Sequence, residues 1–419
     1  IVRGSKKTKI LIIYLSIVFN NKVLSFRIST CSSQPVKYSE DWCKQFKLLK
    51  TEKVPKKLLS KEEALNLTNK NICDKKQTEE KIEENAVLKV VSKKSDETNP
   101  FNLNIGQCLD DMNNSRITRI LGQGTFGKVV EIYVNNAKSY YALKILNPKY
   151  PDNIEKEELM VDFVNNFSQS EIPYIIRPIM IVSIINKHVA VLMPVYGPSL
   201  YNYVEKHGSL NRLEIARVMY QIATSLLFLH SKDFIHTDLK SDNILVEKDC
   251  KMSSIRVLLA DLGNVSSKDE DRDYTITTAN YRAPEVITHN EWSYAADMWS
   301  LGCILYELLT GCYLFDNYIT YDPLMHLNAI EKYTKQCIPS TFGEGRGSIY
   351  FDNFYKEGDR HIRRVFIDDR KRCVGFDSEI DSLLKGLLDV DPTHRLTAED
   401  VLNSDFIINS GMFTTKTKH

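Results

Sequence analysis

The residue pattern of this 419-residue chain changes character at Ile117, and that change limits the folds open to it. From there, short runs rich in Val, Ile and Tyr are separated by turn residues, at 117–121, 129–134, 140–146, 179–185 and 188–193. Runs of this kind fit an antiparallel sheet. One helical segment, 153–167, interrupts them. Beyond Pro198 the pattern turns helical. Residues 213–230 carry Ile215, Val218, Met219, Ile222, Ala223, Leu226 and Leu227 at helical spacing, and 295–311 and 378–388 do likewise. A sheet-rich piece followed by a helix-rich piece predicts an α+β chain with two lobes.

The stretch before Ile117 differs. Residues 32–114 are polar, with runs of Lys, Glu, Asn and Thr. Such a segment buries too little apolar surface to offset its ordering entropy, so 1–115 reads as a largely disordered extension. Within it, an apolar run at 10–19 follows Arg3, Lys6, Lys7 and Lys9. It is too short for a bilayer span, which needs ~20 residues. Its layout is that of a signal peptide or of a stray apolar stretch, in a chain that starts at Ile1 rather than Met. Lys+Arg (55) and Asp+Glu (54) almost cancel, which argues against direct nucleic-acid binding through an overall basic field. The nine cysteines form no C-x-x-C pair, which argues against a disulfide scaffold or a zinc ribbon and fits a reduced intracellular setting. The expected location is nuclear or cytoplasmic, or the secretory pathway if the apolar run acts as a signal.

Chemistry-bearing residues follow in order. Gly122, Gln123, Gly124, Thr125, Phe126 and Gly127 lie between two expected strands and precede Val129. The glycines would let backbone N–H groups approach phosphate oxygens, or would form a plain hairpin turn. A strand rather than a helix follows, which argues against a dinucleotide-binding unit. Lys144 lies on the next strand among Ala142, Leu143 and Ile145. A buried ammonium needs an anion. The following helix offers Glu155, Glu157 and Glu158. Glu157 shares a face with Met160, Val161 and Val164, so it is the preferred partner, with Glu158 next. His236, Thr237, Asp238, Leu239, Lys240, Ser241, Asp242 and Asn243 put a carboxylate, an ammonium and a carboxamide on one loop. Asp261, Leu262 and Gly263 follow an apolar run, and an aspartate at such a strand end is placed to bind Mg2+.

This ordered set resembles the eukaryotic protein kinase domain, from about Arg116 to Ile408, continuing through Ala283-Pro284-Glu285, Asp297-Met298-Trp299-Ser300 and Arg395. The glycine loop, His236-Thr237-Asp238 and Tyr281-Arg282-Ala283-Pro284-Glu285 are similar to the LAMMER, or cdc-like, kinases. Residues 326–332 stand where that group carries its naming stretch and keep its His, Leu and Glu. Residues 260–264 are similar to the SR-protein kinases. Both belong to the cyclin-dependent and mitogen-activated kinase group. The resemblance implies a bilobal fold with an N-lobe at 116–194, a C-lobe at 195–410 and a tail at 411–419. It implies a monomeric Ser/Thr kinase with Tyr autophosphorylation, using ATP and Mg2+, with Arg/Ser-rich splicing factors as protein substrates.

By the same resemblance, the glycine loop covers the ATP phosphates and Lys144 holds the α- and β-phosphates while pairing with Glu157. Asn243 and Asp261 bind Mg2+. Asp238 accepts the substrate hydroxyl's proton and Lys240 steadies the γ-phosphate. Thr278 hydrogen-bonds near Asp238 and Lys240, Glu285 pairs with Arg395, and Asp297 holds the catalytic loop. Ala142 and Leu245 line the adenine pocket, Met193 guards its back, and Pro194, Val195 and Tyr196 form the hinge. Pro194 lacks an N–H, so Tyr196 would supply the donor to adenine.

Three departures stand out. Thr237 replaces an arginine that reads an activation-segment phosphate, which predicts largely constitutive activity. Ser241 replaces the usual proline, and Leu262 the usual phenylalanine. Both are expected to be tolerated. The run Lys268-Asp-Glu-Asp-Arg-Asp273 is either a solvated loop or an acidic lure for basic substrates. Tyr274, Thr275, Thr277 and Thr278 are equal candidates for autophosphorylation. Two further readings stay open, a kinase-like non-catalytic scaffold and a secreted or membrane-associated kinase effector.

Overall fold

The structure, a computed structural model, describes residues 11–19 and 22–30 as backbone, and 103–109, 115–184, 188–248, 254–268, 270, 274–316, 321–344 and 376–413. The rest of the extension and most of the insert at 340–373 lie outside the described residues. Strands β1 (Leu11–Phe19) and β2 (Lys22–Thr30) form an antiparallel hairpin, with Phe19 opposite Lys22 and Leu11 opposite Thr30. The signal-like run is therefore a strand here. Its β-branched Ile12, Ile13, Ile17 and Val18 favour that state, and residues 22–30 supply a partner strand.

The chain divides into two compact units, one of residues 1–147 and 182–190 and one of 148–181 and 191–419. A six-stranded sheet forms from β3 (Cys108–Leu109), β4 (Ser115–Gln123), β5 (Gly127–Val134), β6 (Ser139–Leu146), β7 (Met180–Ile184) and β8 (His188–Pro194). Its order is β3-β4-β5-β6-β8-β7. Strands β5 and β6 pair without a break, from Gly127 opposite Leu146 to Val134 opposite Ser139. Val130, Ile132, Leu143 and Ile145 are wholly buried. Val129 stands opposite Lys144, and Ala142 lies two residues before Lys144, so these three side chains share the other face. The β4–β5 ladder slips between Ile117 and Arg119 and again between Ile120 and Gly122, next to the glycine hairpin. Gly127 permits the close β5–β6 approach, because a Cβ there would sit 2.5 Å from the Ile145 carbonyl oxygen.

Helix α1 (Pro151–Asn165) groups with the second unit. Its Asn153 side chain donates to the Gly263 carbonyl at 2.8 Å. The same unit holds α2 (Leu200–His207) and α3 (Arg212–His230), then four short strands: β9 (Phe234–Ile235), β10 (Ile244–Val246), β11 (Val257–Leu259) and β12 (Ser266–Ser267). Helices α4 (Pro284–Ile287), α5 (Tyr294–Thr310), α6 (Pro323–Thr334), α7 (Ser378–Leu387), α8 (Ala398–Leu402) and α9 (Asp405–Ile408) complete it. Helix α3 starts at a reciprocal cap between Asn211 and Glu214 and buries Ile215, Val218, Met219, Ile222 and Leu226. Helix α5 is buried along nearly its whole length, as an all-round apolar helix must be, and ends at Gly311 with φ 73°. Two antiparallel ribbons, β9 with β12 and β10 with β11, then fix the functional loops. They bring the segment between β9 and β10, residues 236–243, beside the segment between β11 and β12, residues 260–265.

The expected Glu285–Arg395 pair is present and fully enclosed, with side chains 1% and 0% exposed. Its two contacts are 2.7 and 3.0 Å, and Arg395 also donates to the Ala295 and Asp389 carbonyls. Removing one partner of a buried pair strands the other charge. Arg395→Ala should therefore cost about 3–5 kcal/mol in urea unfolding. A loss below about 1 kcal/mol would show that Glu285 is not left unpaired.

Candidate active site

The loop at 236–243 is held from beneath by one carboxylate. Asp297, near the start of α5, accepts the His236 N–H at 2.8 Å and the Thr237 N–H at 3.0 Å. His230 Nε2 lies 2.9 Å from the same side chain. The buried His236 ring is fixed at both nitrogens. Its Nε2 donates to the Ala260 carbonyl, and its Nδ1 accepts the Asp238 N–H.

On this support the expected residues assemble. Lys240 Nζ donates to Asp238 Oδ2 at 2.8 Å and to Thr278 Oγ1 at 2.9 Å. Thr278 donates through its hydroxyl and its N–H to Asp238 Oδ1, at 2.8 and 3.1 Å. Asn243 Nδ2 donates to the Asp238 carbonyl at 2.8 Å and to Oδ2 at 3.2 Å. Both oxygens of Asp238 are thus oriented, one by Thr278 and one by Lys240 and Asn243. Such a carboxylate suits proton acceptance from a hydroxyl.

The amide nitrogen of Asn243 is committed to Asp238, which turns its side-chain oxygen to other work. Asp261 stands in the left-handed region at φ 60°, at the end of the run after β11. A carboxamide oxygen and a carboxylate are the hard donors that Mg2+ takes, so these two residues fit that ion. Beside them, Glu157 is buried and its carboxylate lies against Gly263, where an added Cβ would come within 2.4 Å of Oε1. Glu158 is half-buried, and burial with nearby Glu155 and Asp162 pushes its carboxyl up. Of the two, Glu157 is the one built into the Asp-Leu-Gly turn.

In the sheet unit, Gly124 N–H donates to Gly127 O at 2.9 Å, closing the hairpin, and Asn147 braces it through the Thr125 and Phe126 carbonyls. Among the described residues, a Cβ on Gly122 or Gly124 would meet no other atom within 4 Å. Packing within the chain does not demand glycine at either position, and the room left there fits an approaching phosphate. In the other unit, Met193 is buried while Pro194 and Leu245 are half-buried. The Tyr196 ring is pinned by its hydroxyl, which accepts the Arg177 N–H at 2.9 Å.

Several functional contacts lie beyond the motif reading. Thr237, at φ 67°, donates its hydroxyl to the Asn264 carbonyl and accepts from Thr277 Oγ1 at its backbone carbonyl, so neutral bonds stand where the family pattern has a phosphate-reading arginine. Arg282 donates to the Ile276 and Thr277 carbonyls. Within the acidic run, Glu270 bonds Lys156 of α1 at 2.7 Å and accepts from Ser266, while Asp269, Asp271 and Asp273 lie outside the described residues. Tyr274 is exposed, whereas the Thr277 and Thr278 hydroxyls are engaged. Ser241 is buried, and its hydroxyl donates to Glu307. The stretch at 326–332 packs inward on α6 through His326, Leu327 and Ile330. Burial pushes the His326 imidazole down to about 3.

Residues 115–407 match the protein kinase domain model, and the chain belongs to the protein kinase family. The fold is the bilobal kinase fold, with an antiparallel sheet and a mainly helical remainder. One crystal structure of a kinase domain is similar with a TM-score of 0.62 at 26% identity, covering 73% of this chain and 98% of its own. The dual specificity protein kinase lkh1 of Schizosaccharomyces pombe is 27% identical over 69% of this chain, which spans 46% of that protein. The serine/threonine-protein kinase AFC3 of Arabidopsis thaliana is 29% identical over 70% of this chain and 82% of its own. The dual specificity protein kinase CLK4 of Homo sapiens is 28% identical, with coverages of 69% and 65%. The likeness to LAMMER, or cdc-like, kinases is thus borne out.

Thr278→Val keeps the side-chain shape and removes the hydroxyl's bonds to Asp238 and Lys240, leaving the backbone N–H bond to Asp238 in place. It should lower kcat for a peptide substrate about tenfold, the worth of roughly one charge-assisted hydrogen bond. Unaltered kcat would mean that Asp238 is oriented without the Thr278 hydroxyl.

Proposed function

We propose that this domain transfers the γ-phosphate of ATP to Ser or Thr hydroxyls of proteins, and to its own Tyr residues, with Mg2+ accompanying the nucleotide. The observation that carries this reading is the Asp238 carboxylate, oriented at both oxygens by Thr278, Lys240 and Asn243. Bound Mg·ATP supplies the phosphoryl group and its charge neutralisation.

The chain's own residues then take distinct tasks. Asp238 aligns the substrate hydroxyl and accepts its proton. Lys240 is assigned to the γ-phosphate. Asn243, through its side-chain oxygen, and Asp261 would hold Mg2+. The backbone from Gly122 to Gly127 and the Lys144 ammonium are assigned to the nucleotide phosphates, with Glu157 as the lysine's counter-charge. Val129, Ala142, Met193 and Leu245 are assigned to the base, with the Pro194 carbonyl as acceptor and the Tyr196 N–H as donor.

The substrate class follows from the resemblance to LAMMER and SR-protein kinases and is Arg/Ser-rich protein segments. A peptide array with Mg·ATP should rank Arg/Ser repeats above Pro-directed and acidic-directed sequences, and an equal ranking would remove that class. Constitutive activity is supported by the neutral bonds of Thr237. Phosphatase-treated protein should keep most of its rate, and near-total loss would overturn this.

Asp238→Asn should lower kcat by about 10²-fold or more, given the usual worth of a positioned base, while ATP binding persists. A wild type no faster than this variant would favour the scaffold reading.

A further inference from the structure

Three side chains meet beneath the catalytic loop, and none belongs to the nucleotide or substrate assignments above. Ser241 Oγ lies 2.8 Å from Glu307 Oε1. The Tyr281 hydroxyl lies 2.7 Å from Glu307 Oε2. The two hydroxyls lie 3.0 Å from each other. All three residues are buried, with 1%, 2% and 7% exposure for Ser241, Tyr281 and Glu307.

Three contacts need three protons. Each hydroxyl brings one, and an ionised carboxylate brings none. With Glu307 ionised, both hydroxyl protons go to its oxygens and the contact between the hydroxyls faces lone pair against lone pair. With Glu307 as the acid, a ring closes. The carboxyl O–H donates to Tyr281, Tyr281 donates to Ser241, and Ser241 donates to the other carboxyl oxygen.

We infer that Glu307 is held as a carboxylic acid that closes a three-proton ring with Ser241 and Tyr281, and that it acts as a positioning residue for phosphoryl transfer. Ser241 follows Lys240 directly, and Tyr281 lies three residues beyond Thr278. The ring therefore ties the two segments whose side chains orient Asp238. Serine at 241, where the family pattern has proline, supplies the hydroxyl that completes it.

Burial is the largest electrostatic influence and pushes the Glu307 carboxyl up to about 7, against the Tyr281 and Ser241 hydroxyls, which favour the ionised form; Asp242 adds a like charge. Cys303, one turn earlier on α5, and Tyr313 also face it; burial raises both, with Glu307 contributing. Arg395 acts on Cys303 but is bonded to Glu285. The sign follows. The folded protein holds this proton above the ordinary carboxyl value. The resulting stability is complete below about 4.5 and is lost as pH rises through about 7.

The inference rests on the kinase reading only for its effect on turnover, so the test has an arm independent of activity. Infrared difference spectra of wild type against Glu307→Gln, taken at about pH 6, should show a protonated-carboxyl carbonyl band that fades as pH passes about 7. No such band would overturn the ring. In the second arm, kcat is followed from about pH 6 to about pH 9. Wild type should fall several-fold. Glu307→Gln, whose amide N–H replaces the acid proton in the ring, should show no such fall. An equal fall in both would remove the positioning role. If Glu307→Gln does not fold, Ser241→Ala serves, because it deletes two contacts and leaves Tyr281 free to donate to a carboxylate. It should move the loss of the band to lower pH, and an unmoved band would overturn the ring. A band present with no kinase activity in any variant would leave the ring standing and refute the kinase reading instead.

Discussion

Asp297 reaches back from the buried helix α5 to accept two consecutive backbone N–H groups, those of His236 and Thr237. Most of the site's order depends on that grip. A loop that must turn through a left-handed threonine, with φ 67° at Thr237, is strained unless its amides are satisfied. The carboxylate is itself nearly enclosed, so its bonds work in a medium of low polarity. From this anchor the order runs outward to the His236 ring, the Asp238 backbone and the carboxylate that Lys240, Thr278 and Asn243 orient.

The two short ribbons are the second condition. Pairing of β9 with β12 and of β10 with β11 sets two loops side by side, although about twenty residues separate them in the chain. Such pairings carry little burial of their own. They persist because α3 and α5 are packed beneath them with continuous apolar surface. The rigid helical mass thus stabilises irregular, polar backbone at the functional surface, which is where loops carry chemistry.

Much of this was legible in the sequence, for identifiable reasons. The strand runs and the long helices were readable because their periods of two and 3.6 persist over many residues. The Asp238, Lys240, Asn243 and Asp261 set was readable because it is compact and ordered. The Glu285–Arg395 pair and the Asp297 grip came from the same motif order. What escaped was of another kind. The strand pairing of residues 11–30 depends on a partner segment rather than on the apolar run itself. The Lys156–Glu270 bond and the Ser241–Tyr281–Glu307 cluster join residues far apart in sequence, with no spacing rule to announce them. In the sequence Ser241 is only a tolerated loss of proline, whereas in the fold its hydroxyl makes a buried contact.

Gly263 has a consequence of a different sort. Its missing side chain leaves the space that the Glu157 carboxylate occupies. Even one methyl group there would act as a wedge between α1 and the turn that carries Asp261, while leaving the apolar core untouched. A substitution at this position is therefore mechanically coupled to the acidic helix, and a residue without a side chain fixes how closely the Glu157 carboxylate can approach this turn.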